Sequence, residues 1–331
     1  MLTNDLIEQI LQRLPAQTVG VLGDLFLDRY LDIDDALTEP SLETALDAYQ
    51  VVRVRAYPGA AGTIINNLAA LGIGRIVPIA IVGDDGEGYE LRQAMRKLPA
   101  VDQTHVISCD GRRTPTYTKP MLIKAGETAC ELNRLDIKNR APTPVEAQEI
   151  MCQSLAQVWD RLDALLVLDQ VSEEDCGVVT NRVRVRLSAL AAGDPRKFVL
   201  ADSRERIREF RSVCVKPNAR EAKDIDLIRQ TSGRAVFVTQ GEAGIQLYTA
   251  ESKDAVNIPA YTVTGPIDPV GAGDSVSAGI ASAVAAGTTL QQAAAFGNLI
   301  ASITVQQIGA TGTASPAQVR ARWQEVANWK R

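Results

Sequence analysis

The sequence predicts an α/β protein with a doubly wound, mostly parallel sheet and a small β-sheet lid. The main observation is that short aliphatic runs alternate with longer helical segments, which is typical of parallel sheets with helices on both faces. Each aliphatic run ends in a polar residue or a glycine, as buried strands do. The 331 residues are 46% hydrophobic and 23% charged, a composition typical of globular proteins.

The elements follow in chain order. The first is an amphipathic helix, because Leu2, Leu6, Ile10 and Leu14 recur at helical spacing before Pro15. The predicted strands are Thr18–Gly23, Arg75–Gly83, Ala164–Asp169, Lys197–Asp202, Ser212–Asn218 and Ala235–Gly241. Helices are expected near residues 61–72, 86–98, 145–160, 176–192, 219–230, 274–286 and 290–307.

Two segments, residues 29–57 and 104–137, interrupt this alternation. They contain strand-like patterns such as QVVRVRAY and TYTKPML, without a helix of comparable length between them. We expect them to form a small separate sheet that covers the ligand crevice as a lid. Because no repeat or low-complexity linker occurs, residues 1–331 are expected to form one domain that carries this lid.

Composition excludes several classes of function. The net charge of −5 is spread along the chain, so we expect no binding of nucleic acid or of membranes. Five scattered cysteines without a CxxC pair indicate reduced thiols and a cytoplasmic location. The single histidine, His105, excludes a histidine-rich metal site. Residues 275–319 carry no charge, but glycines and polar residues interrupt them, which favours two buried helices over a membrane span.

Polar residues collect at the ends of the predicted strands, where ligands bind in such sheets. Carboxylates and amides at these positions are suited to binding hydroxyl groups and to magnesium-linked phosphate chemistry. The alternative is that strand-end loops are polar in any protein, which accounts for part of the set. The residues are Asp24, Asp28, Asp84, Asp169, Asp202, Asn218 and Thr239 to Gly241.

The stretch GPIDPVGAGDSVSAG, residues 265–279, is the strongest chemical signal. Gly271 and Gly273 allow a ligand to approach the backbone closely, and the N–H groups that begin the following helix bind anions. Asp274 would repel a bound phosphate, but transfer of a phosphoryl group to a hydroxyl needs such a base. The alternative is that Asp274 only caps the helix. The chain has neither a Walker loop nor a dinucleotide fingerprint.

The segment DPVGAGD, residues 268–274, closely resembles the DTxGAGD signature of the ribokinase-like (PfkB) carbohydrate kinases. Four further motifs resemble those of the family in the same order: VLGDLFLDRY at 21–30, PGAAGTIINNLAALG at 58–72, KPNAREA at 216–222 and VTQGEAG at 238–244. Within the family, GDLFLDRY, TYTKP and NRLD look most like the kinase half of bifunctional heptose 7-phosphate kinase/adenylyltransferases. We expect the nucleotidyltransferase half to be absent, because the chain ends where the kinase half would.

The resemblance implies an ATP- and magnesium-dependent kinase that acts on a hydroxyl of a sugar or sugar phosphate. Asp274 would be the general base, and the amides of Ala272, Gly273 and Asp274, after Gly271, would bind the transferring phosphoryl group. The implied nucleotide-side residues are Asn218 and Glu221, which would hold magnesium through water, with Thr239, Gly241, Gly244 and Asn298. A homodimer through the lid is expected from the resemblance, and a requirement for a monovalent cation is left open.

The sugar side departs from the family pattern. Ala60 stands where a second glycine is usual, Thr63 where an asparagine commonly contacts the sugar, and Val270 where threonine is usual. The sequence therefore does not identify the sugar. The expected substrate-binding residues are Asp24, Asp28, Gly59, Ala60, Thr63 and Asp169.

Three alternatives stay open at this point: one for the role of Asn218 and Glu221, and two for the function of the protein. Asn218 and Glu221 are three residues apart, which suits a capping box as well as a shared magnesium site. The altered glycine motif also fits a non-catalytic sugar or nucleotide sensor on the same fold, and a nucleoside kinase would use the same phosphate cradle.

Overall fold

The computed structural model describes residues 2–250, 252, 254–309 and 311–328. Its helices occupy most of the segments in which the sequence predicts them. The helices are α1 (Asn4–Arg13), α2 (Ala61–Leu71), α3 (Gly86–Arg96), α4 (Val145–Val158), α5 (Asn181–Gly193), α6 (Ile225–Ser232), α7 (Ala272–Ala285), α8 (Leu290–Thr304) and α9 (Pro316–Asn328).

The strands are also mostly those that the sequence predicts, and three of them have the predicted bounds. The strands are β1 (Thr18–Gly23), β2 (Leu25–Asp34), β3 (Glu39–Pro40), β4 (Asp47–Ala48), β5 (Val51–Ala60), β6 (Arg75–Gly83), β7 (Val106–Cys109), β8 (Thr116–Ile123), β9 (Cys130–Glu131), β10 (Leu135–Ile137), β11 (Ala164–Asp169), β12 (Phe198–Ser203), β13 (Cys214–Val215), β14 (Val236–Thr239), β15 (Ile245–Tyr248) and β16 (Val256–Ile258).

The large sheet has the order β16-β15-β14-β13-β12-β11-β1-β6-β7. From β14 to β7 along this order, neighbouring strands are parallel. β15 is antiparallel to β14, and β16 is antiparallel to β15. β1 pairs with both β6 and β11, so the strand order reverses at β1. Ligands of doubly wound sheets bind at such a reversal, beyond the carboxyl ends of the strands. The predicted doubly wound, mostly parallel sheet is confirmed.

The core lies on both faces of this sheet. Along β11, Leu166 and Leu168 pack into the core on one face, whereas Leu165 and Val167 pack into the core on the other. This alternation explains why the strand is apolar at every position, since a parallel sheet covered on both faces has no solvent side. The first core includes residues of α1, α2, α7 and α8, and the second includes residues of α4, α5 and α6.

A separate smaller sheet forms the lid, with the order β10-β8-β2-β5 and with β9 paired to β8. β2 pairs with β5 in antiparallel and with β8 in parallel orientation. The prediction of lid strands within residues 104–137 is wrong for β7, which pairs with β6 in the large sheet. Its short alternating sequence does not reveal which sheet it joins, because an edge strand of either sheet is exposed on one side.

Other differences arise at edges and ends. β15 and β16 extend the sheet where no strand was predicted, and α9 was also not predicted. The helix expected near residues 219–230 begins only at Ile225, because the preceding residues form turns. The helix expected near residues 176–192 begins at Asn181, where the Thr180 hydroxyl caps it.

The uncharged stretch forms two buried helices, α7 and α8, as predicted. The two pack through glycines: a Cβ added to Gly279 would lie 2.9 Å from Gly297 Cα. Small residues allow this close approach between the backbones, so the absence of charge reflects burial in the core. Within the described residues, no helix is long and apolar enough to cross a membrane.

Candidate active site

The site is centred on the first turn of α7. Gly271 precedes the helix with φ of 77°, and a Cβ there would lie 2.6 Å from Thr311 Cγ2, so only glycine fits. No side chain caps the helix. Among the described residues, the N–H groups of Gly273 and Asp274 have no acceptor. Free N–H groups at a helix start attract an anion, and no group of the described residues competes for these two.

One of the three backbone N–H groups that were predicted to bind the phosphoryl group is not available. The N–H of Ala272 donates to the Pro269 carbonyl over 3.1 Å. The prediction that all three amides are available is therefore wrong for Ala272, because the tight turn that begins the helix uses its N–H group.

Asp274 is the third residue of α7 and half-buried. Burial and the neighbouring Asp202 carboxylate raise its pKa to about 7, although Lys216 and Arg204 act in the opposite direction. Gly271 is the N-cap residue of α7, so the alternative that Asp274 caps the helix is wrong. A carboxylate with a pKa near neutrality is suited to accepting a proton from a substrate hydroxyl.

An ion pair that the sequence analysis missed lies beside this carboxylate. Lys216 Nζ is 2.7 Å from Asp202 Oδ2, and the lysine is 3% exposed. Asp202 belongs to β12, and Lys216 directly follows β13. Each residue could be singled out in the sequence, Asp202 as a strand-end carboxylate and Lys216 as the first residue of KPNAREA, but their pairing could not be predicted.

Asn218 and Glu221 form the reciprocal contacts of a capping box. The Asn218 N–H donates to Glu221 Oε2 over 2.8 Å, and the Glu221 N–H donates to Asn218 Oδ1 over 3.1 Å. The Glu221 carboxylate also interacts with the Asn218 side chain and with Lys216. No group of three or more metal-binding side chains occurs in the described part of the chain. A cation here would therefore depend on phosphate and water oxygens.

The other nucleotide-side residues divide into two groups. Thr239 is bridged to Asn218, since its backbone bonds Pro217 and Ala219, so both motifs share one edge of the sheet. Gly241 has φ of 57° and faces open space.

Gly244 and Asn298 instead contact the end of β16. A Cβ on Gly244 would lie 2.2 Å from the Ile258 carbonyl oxygen. The Asn298 amide donates to the Ile258 and Pro259 carbonyls over 3.0 and 3.1 Å. Their predicted contacts with a nucleotide are not supported, because both positions are explained by how they fix the end of β16.

The carboxylates of Asp24 and Asp169 also accept hydrogen bonds from other groups of the protein. Asp24 accepts the N–H groups of Gln170, Val171 and Val178. Burial and the Asp169 carboxylate raise its pKa to about 6. The predicted contacts of Asp24 with sugar hydroxyls are therefore not supported.

Asp169 is 1% exposed, and its carboxylate is likewise engaged within the protein. Its carboxylate accepts two hydrogen bonds from the Arg206 guanidinium and one from the Ser203 hydroxyl. A bidentate arginine and a hydroxyl use most of its acceptor capacity. These contacts hold the loops after β11 and β12, and a role of Asp169 in substrate binding stays a prediction.

Asp28 remains the accessible carboxylate of the sugar side. It lies on the lid strand β2, 3.6 Å from Lys119 Nζ, and burial raises its pKa although Lys119 opposes the shift. A Cβ on Gly59 would lie 2.5 Å from Asp28 Oδ2, which explains why this position is glycine. Asp28 and Gly59 therefore form one unit.

Ala60 and Thr63 connect this unit to α7. Ala60 has φ of 52° and ψ of −117°, a conformation that glycine adopts without strain, so the alanine is strained where the family usually has glycine. Thr63 is buried, and its methyl group would lie 3.5 Å from a Cβ on Gly271. The structure thus brings the altered glycine motif against the start of α7.

A small cavity of about 60 Å³ lies between the lid and the loops that follow β11 and β12. Its lining includes Phe26 and Tyr117, whose rings meet edge to face at 5.2 Å. Asp28 and Asp274 are not among its lining residues. Arg204 lines the cavity and also lowers the pKa of Asp274, which connects the cavity with the candidate site through charge.

The chain matches the family described as pfkB family carbohydrate kinase over residues 32–318. It is 30% identical to a bifunctional protein HldE from Pelobacter propionicus, over 95% of this chain and 64% of that protein, and 31% identical to one from Caulobacter vibrioides, over 92% and 63%. The chain thus spans less than two thirds of the length of these relatives.

Solved structures resemble the fold. A ribokinase from Thermotoga maritima has a TM-score of 0.63 at 18% identity, over 93% of this chain and 99% of that one. A Burkholderia thailandensis nucleoside kinase in complex with ADP-inosine has a TM-score of 0.61 at 16% identity, over 94% and 96%. At such identities the likeness concerns the fold, which is ribokinase-like.

Proposed function

The chain belongs to the pfkB family of carbohydrate kinases, and from this premise we propose that it transfers the terminal phosphoryl group of ATP to a hydroxyl of a sugar or sugar phosphate. One observation carries the proposal. Asp274, with a pKa raised to about 7 by burial and by Asp202, lies in the same helical turn as two N–H groups that have no acceptor in the described part of the chain. A base and an anion site at one point are what in-line phosphoryl transfer to an alcohol requires.

In this proposal the chain's own residues have distinct tasks. Asp274 accepts the proton of the attacking hydroxyl, and the N–H groups of Gly273 and Asp274 stabilise the charge on the phosphoryl oxygens. Asp28 binds sugar hydroxyls from the lid side. The nucleotide phosphates approach α7 along the edge formed by Thr239 and Gly241.

Magnesium fits this site through few protein ligands. Glu221 offers a half-buried carboxylate, and its contacts with Asn218 keep that side chain in place. Magnesium retains several waters and is often bound by one or two carboxylates together with phosphates. When bound, it would supply charge neutralisation at the phosphates. A monovalent cation is not required by any contact described above.

The experiment is an ADP-release screen with magnesium ATP over pentoses, hexoses, heptoses, their phosphates and nucleosides. We expect turnover with a sugar or sugar phosphate, and we expect Asp274→Asn to lower kcat by about 10²–10⁴-fold with ATP binding nearly unchanged. Wild-type turnover in this variant would refute the assignment of the base. Turnover only with nucleosides would indicate a nucleoside kinase, and tight binding without any turnover would indicate a sensor.

We also propose that a second copy of the chain pairs with the lid. Among the described strands, β5 forms one edge of the lid and pairs only with β2, and Val52 and Val54 on it are 54% and 51% exposed. A long apolar edge strand is a surface that proteins normally cover. Light scattering should give a dimer for the wild type and a monomer for Val52→Glu/Val54→Glu. Val185→Glu, at an exposed valine of α5, is the control. A monomeric wild type would refute the pairing.

The five cysteines are all free thiols. Free thiols suit a reducing compartment, so we propose a cytoplasmic location for the reaction.

A further inference from the structure

A buried lysine lies directly against the start of α7. Lys216 is 3% exposed, and its Nζ would be 3.6 Å from a Cβ placed on Gly273. Gly273 itself is exposed. No side chain therefore separates the ammonium from the side of the helix turn on which a ligand would bind.

The charge of Lys216 is maintained by its neighbours. Burial alone would lower its pKa, but Asp202, Asp274 and Glu221 more than offset this effect, so the pKa is raised. A buried ammonium is costly unless carboxylates lie close to it. Asp202 is its ion-pair partner, and the other two carboxylates belong to the proposed base and the proposed magnesium site.

The ammonium also retains hydrogen-bonding capacity. It has three N–H donors, and Asp202 is its ion-pair partner among the described residues, with 2.7 Å between Nζ and Oδ2. Asp202 fixes the position of the amine from behind. Donors that are not used on Asp202 remain for a group that binds at the first turn of α7.

We propose that Lys216, positioned by Asp202, contacts the transferring phosphoryl group at the start of α7. The proposal rests on the proposed kinase function and adds a catalytic residue to it. The acceptor oxygen forms a bond to the terminal phosphorus while the bond from that phosphorus to its bridging oxygen breaks. The electron pair leaves with ADP, and the proton of the hydroxyl passes to Asp274. Lys216 keeps its own protons and stabilises the negative charge on the phosphoryl oxygens.

A purely structural ion pair is the competing explanation. The Arg184–Glu209 pair has a similarly buried cation, with 2.6 Å between Nη2 and Oε2, but it lies on α5 outside the cavity. Arg184→Met is therefore a matched control for the removal of a buried charge. It should affect stability without changing nucleotide preference.

The test is calorimetric binding of ADP and of a non-hydrolysable ATP analogue to the wild type, Lys216→Met and Arg184→Met, together with kcat where the screen has identified a sugar. We expect Lys216→Met to weaken binding of the triphosphate at least tenfold more than that of the diphosphate. We expect its kcat to fall by about 10²–10³-fold. The acid limb of its pH–rate profile should also move to higher pH, because the neighbouring cation that lowers the pKa of Asp274 is lost.

The outcomes separate this proposal from the proposed function. Equal affinities of Lys216→Met and the wild type for the triphosphate, or an unchanged kcat, would overturn the role of Lys216 and leave the kinase function intact. A wild type that binds the triphosphate but phosphorylates no acceptor would refute the kinase function, and the binding comparison would still test the phosphate contact. If Lys216→Met does not fold, Asp202→Asn/Lys216→Met removes both charges of the pair and should show the same loss of preference for the triphosphate.

Discussion

Replacing Asp274 with asparagine should stabilise the folded protein at pH 8, and the gain should vanish as the pH falls toward 4. The physical reason is the cost of ionising this carboxyl group in the folded state. Burial and the Asp202 carboxylate raise its pKa to about 7, whereas a carboxyl in the unfolded chain has a pKa of about 3.9. Asparagine has nearly the same shape and cannot ionise.

The sign follows from proton binding. Between the two pKa values the folded wild type binds one proton more at this position than the unfolded chain, so its stability falls as the pH rises through this window. The slope is about 1.4 kcal/mol per pH unit, which gives an upper bound of about 4 kcal/mol over a window of about three units. Since Asp274 is only half-buried, we expect a change of about 2 kcal/mol between pH 5 and pH 8.

The assay is urea unfolding at pH 5, 6, 7 and 8 for the wild type and Asp274→Asn. Other titrating groups largely cancel in the difference between the two proteins. Asp226→Asn serves as the control, since that side chain is 92% exposed and its substitution should give a difference that hardly varies with pH. A difference for Asp274→Asn that stays constant, or that is largest at acid pH, would refute the raised pKa and with it the argument for the base.

Three further predictions concern glycine geometry. Ala60→Gly should stabilise the protein by about 1 kcal/mol in urea unfolding, because the positive φ of Ala60 is strained for alanine; a loss of stability would contradict this strain. Gly59→Ala should lower kcat/KM for the sugar by about 10–100-fold with unchanged ADP affinity, because its Cβ would displace Asp28; equal effects on both ligands would argue against it. Gly244→Ala should destabilise the protein by about 1–3 kcal/mol in thermal unfolding, since the φ of Gly244 is 94° and the Ile258 carbonyl oxygen lies where the Cβ would be. An unchanged melting temperature would contradict this.

Much of the fold could be predicted because periodicity and turn residues are local signals. β1, β6 and β11 have the predicted bounds, since each is a continuous apolar run that ends at a polar residue or a glycine. Pairing is not a local property. β7 has the same alternating pattern as a lid strand, and β15 and β16 depend on contacts with β14 that no short window of sequence contains.

The same limit applies to the candidate site. The glycines before Asp274 could be identified because backbone geometry dictates residue type locally. Asp24 and Asp169 belong to the same class of strand-end carboxylates as Asp28, yet their partners, the N–H groups after β11 and the guanidinium of Arg206, come from distant parts of the chain. Lys216 could be singled out as the first residue of KPNAREA, but its pairing could not be predicted, since its partner Asp202 lies on another strand.

The two sides of the site are built in different ways, and this difference explains why the sugar is the harder half to identify. At α7 two of the proposed binding groups are backbone N–H groups, whose direction is fixed by the helix whatever the side chains are. On the lid the proposed binding group is the Asp28 carboxylate, which lies 3.6 Å from Lys119 Nζ. A sugar hydroxyl that binds there would compete with this ion pair. The choice of sugar would thus depend on a balance between side chains on β2 and β8, whereas the proposed phosphoryl site combines fixed backbone N–H groups with the side chains of Asp274 and Lys216.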